Sequence, residues 1–122
     1  MKIRIKGNSI RLRLTRNEVA DLCTKGFIRE TTRFPSGLFR YEVMISEVHN
    51  TLNAALEDNS ICFYLPRKLS ENWPDNETVG FEEWLPLTND STLHLLLEKD
   101  FQCLEARSED ESDQYPNPKA LL

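Results

Sequence analysis

Hydrophobic and polar residues alternate with period two from the start of the chain. In KIRIK, Ile3 and Ile5 alternate with Lys2, Arg4 and Lys6; in IRLRL, Ile10, Leu12 and Leu14 alternate with Arg11 and Arg13. Gly7-Asn8-Ser9 between them is a turn signal, so this stretch predicts a β-hairpin with one aliphatic and one cationic face. The period then changes. Thr15 and Glu18 have capping-box spacing, and Val19, Leu22 and Cys23 share one face at helical spacing. Gly26 suits the left-handed residue that ends a helix, with Phe27 folding back on it, which predicts a helix of about ten residues.

Period two returns in IRETTRF and LFRYEVMIS, two strands joined by Pro35-Ser36-Gly37, with Phe39, Tyr41, Val43 and Ile45 inward. TLNAALE and SICFYL predict another hairpin across Asp58-Asn59, with Leu52, Ala54 and Leu56 toward the core. Pro66 suits a first helical position, and Leu69 and Trp73 lie four apart before Pro74 stops the turn. A strand around TVGFE, an irregular EWLPLTND and a final strand STLHLLLEK complete the pattern, the last with Leu93, Leu95 and Leu97 on one face. Beyond Lys99 the period is lost. The elements predict an α+β fold: a curved antiparallel sheet of about six to eight strands, open or partly closed, with one or two short helices. Residues 1–107 are read as one globular domain and 108–122 as an acidic, proline-containing tail, extended or disordered.

The length of 122 residues fits that single domain. No apolar run approaches the ~18 residues of a membrane span, and the charged N-terminal alternation is unlike a signal peptide. Cys23, Cys62 and Cys103 are odd in number and lack a CxxC pair, which argues against a disulfide framework or a zinc site. The expectation is a reduced, cytoplasmic protein without a cofactor or membrane partner; monomer and homodimer are both compatible with the composition.

Charge changes the picture more than composition does. Residues 1–40 hold ten Lys and Arg against three acids, a net of +7, whereas residues 41–122 hold five against seventeen, a net of −12, together the −5 of the whole chain. Lys2, Arg4, Lys6, Arg11 and Arg13 form a basic ribbon suited to a polyanion or an acidic protein partner. The ordinary alternative is a solvated sheet face, although like charges opposite one another destabilise a hairpin and call for compensation. Glu109, Asp110, Glu111 and Asp113 of the tail offer it. The ribbon itself lacks the aromatic stackers usual in nucleic-acid recognition.

Catalytic patterns are sparse. There is no P-loop, GxGxxG, HExxH or nucleophile elbow. His49 reads as a turn residue and His94 as a partly exposed sheet residue facing away from Leu93 and Leu95. Cys103 sits where the core ends and is the candidate reactive thiol, but Asp100 and Glu105 oppose thiolate formation. The tail carboxylates lack calcium-loop spacing, and no metal site is assigned. The chain is therefore read as a binding or interaction module whose basic hairpin is covered or modulated by the acidic tail. The competing class is an enzyme or metal-binding protein using Cys103 with the tail carboxylates; a third is a weak nucleic-acid binder.

Two resemblances add to this. ICFYLPRKLSENWPDNETVGF is similar to the strand–turn–strand half of swapped-hairpin transcription regulators, which implies basic DNA-gripping dimers, but here Arg67 and Lys68 face Glu71, Asp75 and Glu77. Over nearly its full length the chain resembles an uncharacterised family of small bacterial proteins. The opening MKIRIKGNSIRLRLT, ETTRF, LPRKL with Trp73, LEKDFQCL and Tyr115-Pro116-Asn117-Pro118 carry that resemblance. It implies a bacterial origin and a shared fold, and no activity.

Overall fold

A computed structural model describes residues 1–102 and 111–118. Its elements are β1 (Lys2–Lys6), β2 (Ser9–Leu14), α1 (Arg16–Lys25), β3 (Phe27–Phe34), β4 (Gly37–Ser46), β5 (Asn53–Glu57), β6 (Ser60–Pro66), α2 (Arg67–Ser70), a 3₁₀ turn (Trp73–Asp75), β7 (Gly80–Pro86) and β8 (Thr92–Lys99). The fold is α+β, as the periodicity predicts.

The single curved sheet is corrected to two sheets of four strands, neither closed, in the orders β1-β2-β8-β7 and β3-β4-β6-β5. Each is made of two antiparallel hairpins joined at the centre by one parallel pair, β2 with β8 and β4 with β6. Helix α1 carries the chain out of the first sheet before β3 begins, and the chain returns to that sheet at β7. This also separates the two halves of the regulator-like segment: β6 lies in one sheet and β7 in the other.

Local chemistry accounts for the elements. The Thr15 hydroxyl accepts from Glu18 N while the Glu18 carboxylate accepts from Thr15 N, so both halves of the capping box are made. Gly26, at φ 88°, ends α1 in the left-handed region and donates its N–H to Leu22 O. Phe27 instead opens β3 and is largely exposed. Asp58 and Asn59 are both left-handed, the backbone needed for a two-residue hairpin turn between β5 and β6. EWLP, expected to be irregular, forms the second half of β7; Pro86 is tolerated because β7 is an edge strand. At Gly80 the strand approaches β8 so closely that a Cβ would run into the Leu97 carbonyl oxygen.

The inward faces of both sheets share one hydrophobic cluster. Leu12, Leu14, Leu95 and Leu97 come from the first sheet, Val43, Ile61, Phe63 and Leu65 from the second, and Val19, Leu22, Leu52 and Trp73 complete it. Phe39, Tyr41 and Ile45 pack against this cluster as their alternation predicts. Leu56 does not: it lies near the end of edge strand β5 and is 73% exposed.

Residues 111–118 are hydrogen-bonded to the domain. The Asp113 carbonyl accepts from Arg16 N (2.9 Å), and its carboxylate accepts from Asn17 N (3.3 Å), satisfying two amides at the start of α1. Tyr115 bridges Phe101, its N–H donating to Asp100 O and its carbonyl accepting from Gln102 N.

Candidate ligand-binding face

Strand register sets the outer face of the first sheet. Three rows run across its four strands: Lys6–Ser9–His94–Trp84, Arg4–Arg11–Leu96–Glu82 and Lys2–Arg13–Glu98–Gly80. The hairpin alternation therefore does place all five predicted cations on one face, opposite the leucines of the core. It also sets Arg4 directly against Arg11 and Lys2 against Arg13, an arrangement that is repulsive unless compensated.

Part of that compensation comes from β8. Glu98 Oε1 lies 3.0 Å from Arg11 Nε and 3.8 Å from Arg13 Nε. The Arg11 Nε–H is enclosed but not aligned to donate to Glu98, so this one N–H has no hydrogen-bond acceptor among the described residues. Lys2 Nζ is 3.4 Å from Asp100 Oδ2, which also accepts from Gln114 Nε2 at 2.9 Å. Of the tail acids, Asp113 is engaged at α1 and Glu111 uses its carbonyl to accept from Gln114 N. Glu109, Asp110 and Cys103 lie outside the described residues.

Arg4, Lys6 and Arg11 border a concavity of about 250 Å³ with Ser9, His94 and Leu96. His94 Nδ1 is 3.1 Å from Ser9 Oγ, and its Nε2 is 2.7 Å from Glu82 Oε2. With the proton on Nε2, the ring donates to Glu82 and accepts from Ser9; a doubly protonated ring donates to both. The imidazole lies flat on the Trp84 indole, with centroids 3.6 Å apart and planes 5° from parallel. Trp84 itself is 55% exposed. Ser9, Glu82, Trp84 and the role of His94 were not picked out by sequence motifs. The available signal was parity: once β7 is a strand, Glu82 and Trp84 share its polar face, as His94 does on β8.

Hydroxyl, imidazole and carboxylate in this order form a proton relay. Here the carboxylate of the series, Glu82, is half exposed, whereas a relay that carries chemistry works where water is excluded. What the arrangement does with certainty of geometry is fix the ring that supports Trp84.

Neither described cysteine has surroundings that favour a thiolate. Burial raises the Cys23 thiol, helped by the nearby Asp75 charge, and its Sγ donates to Ser70 O. Cys62 is pushed up to about 11, chiefly by burial. Lys99 is 4% exposed, donates to Asn76 O at 2.7 Å, and is held below its usual range by burial. Among the described residues no group of three or more metal-ligating side chains forms, and no helix is long and apolar enough to cross a membrane.

The model of a family of unknown function, DUF7009, matches residues 1–119, and the chain belongs to that family. No curated protein and no solved structure matches the chain.

Proposed function

We propose that the protein is a binding module that takes an anionic partner on the outer face of the β1-β2-β8-β7 sheet. The observation that carries this reading is the convergence of Arg4, Lys6 and Arg11 on one concavity with two further hydrogen-bonding side chains, Ser9 and His94. The test is the salt dependence of binding to a flexible polyanion. Three cations predict a log–log slope of about −2, rising toward about −3.5 if Lys2 and Arg13 also engage. Arg4→Ala combined with Arg11→Ala should weaken binding and flatten the slope; an affinity that ignores both salt and these substitutions would refute the reading.

Modulation by the acidic tail is the second element of the proposal. Its support is the Lys2–Asp100–Gln114 contact, which ties the docked tail to one end of the cationic face. Neutralising Glu109, Asp110 and Glu111 as amides should raise polyanion affinity several-fold if the tail competes for the face. Unchanged affinity would leave the tail as a structural strap.

A further inference from the structure

We infer that the anionic partner is single-stranded nucleic acid, with phosphates on Arg4, Lys6 and Arg11 and one base stacked on the free side of Trp84. This rests on the anion-binding reading and names its ligand class.

The argument begins with the cost of Trp84. A large indole more than half exposed on an edge strand gives up burial that a tryptophan ordinarily finds. The surrounding side chains nevertheless hold it in one orientation. His94 covers one side of the ring at 3.6 Å, and both imidazole nitrogens are occupied, by Ser9 and by Glu82. The result is a flat aromatic surface fixed before any ligand arrives, so little ordering entropy is lost when a planar group stacks on it. A base has such a group; polyphosphate and sulfated sugars do not.

Position joins this surface to the cations. Lys6 and Trp84 end the same row, three strand spacings apart, or about 14 Å. A short single strand laid across the strands can place phosphates at Lys6, Arg4 and Arg11 while a base further along reaches Trp84. Glu98 is paired with Arg11 and Arg13, whereas Glu82 is hydrogen-bonded to His94 and keeps its charge beside Trp84, so the phosphates run along the β1–β2 end of the face and only a base reaches Trp84. A duplex fits poorly, because its bases are already stacked on one another and none is free to lie on Trp84. An acidic peptide would use the cations but has no general need for the ring.

The experiment compares oligothymidylate, a DNA duplex of equal length and inorganic polyphosphate, each titrated against the full chain at one low salt concentration. Oligothymidylate should bind tightest. Trp84→Ala should weaken oligothymidylate binding by about 5- to 150-fold, the usual range for one stacked base, and leave polyphosphate binding unchanged. Trp84→Phe, which keeps a smaller ring, should fall between. Arg4→Ala with Arg11→Ala should weaken both ligands. Equal affinity for oligothymidylate and polyphosphate, with no effect of Trp84→Ala, would overturn the nucleic-acid inference while leaving anion binding intact. Tighter binding of the duplex would overturn it as well. Failure of all three ligands to bind would remove both readings.

Discussion

His94, in β8, and His49, in the loop between β4 and β5, sit in closely similar immediate surroundings. Each shares Nδ1 with a serine hydroxyl, His94 with Ser9 at 3.1 Å and His49 with Ser46 at 2.7 Å. Each also stacks on an aromatic ring, Trp84 in one case and Tyr64 in the other. The difference lies in what else the serine does. Ser46 is 7% exposed, and its oxygen also accepts the Val48 and His49 backbone N–H groups, closing the turn that leaves β4. Ser9 lies on the open cationic face, and its histidine passes the contact on to Glu82. The same three residue types thus build a structural turn on one sheet and a supported surface on the other. A serine–histidine–aromatic group is informative only through its remaining bonds.

The largest effect that separates the clusters is on stability. Ser46→Ala leaves two amides near the core without their acceptor and should destabilise the protein by about 1–3 kcal/mol. Ser9→Ala removes a single contact on an exposed face and should change stability by less than about 0.5 kcal/mol, its effect appearing in ligand binding instead. Urea unfolding of the two variants checks this, and equal losses would dissolve the distinction.

The hairpin face, the capped helix and the leucine face of β8 were legible in the sequence because each is set by local period and local hydrogen bonds. The partition into two sheets was not. It depends on β2 pairing in parallel with β8, strands some eighty residues apart, and alternation names a strand's two faces without naming its neighbour. The candidate face was half legible for the same reason. Its cations lie within one hairpin, but Ser9, Glu82, Trp84 and His94 meet only through the β2–β8 and β7–β8 registers. Reading EWLP as irregular hid one of them, Trp84; Pro86 does not interrupt the strand, because β7 is an edge strand. Asp113 shows the opposite failure. Its charge suggested the basic ribbon, whereas its backbone position assigns it to the orphan amides of α1.

The outer face of the second sheet should also reveal itself in alkali. Cys62 lies there beside Tyr64 and Glu42, and burial raises its thiol from an ordinary 9.0 to about 11. The folded state therefore holds this proton more tightly than the unfolded chain does. That contribution is fully present below pH 9.0 and is lost as pH rises through about 11, on the order of 2–3 kcal/mol in all. Lys99 acts in the opposite sense: burial lowers its folded value, so its penalty is relieved as pH rises. Urea stability measured from pH 8 to 11 should fall less steeply in Cys62→Val than in the parent chain. Identical slopes would mean the thiol is not buried as described.

Glu98 gives the smallest and most discriminating perturbation of the cationic face. Its pairs with Arg11 and Arg13 are partly exposed, so the Coulomb attraction in each is worth at most about 1 kcal/mol. The carboxylate nevertheless offsets the opposed pairs Arg4–Arg11 and Lys2–Arg13, and it competes with any incoming anion for Arg11. Glu98→Gln should therefore cost about 0.5–1 kcal/mol of stability while raising polyanion affinity a few-fold and steepening its salt slope. The two signs together are diagnostic. If the face were merely a solvated surface, stability would fall in the same way and no polyanion affinity would appear. The second sheet supplies the control: Arg29 Nε and Glu42 Oε2 form a comparable 2.7 Å pair there, and Glu42→Gln should leave binding to the first sheet unchanged.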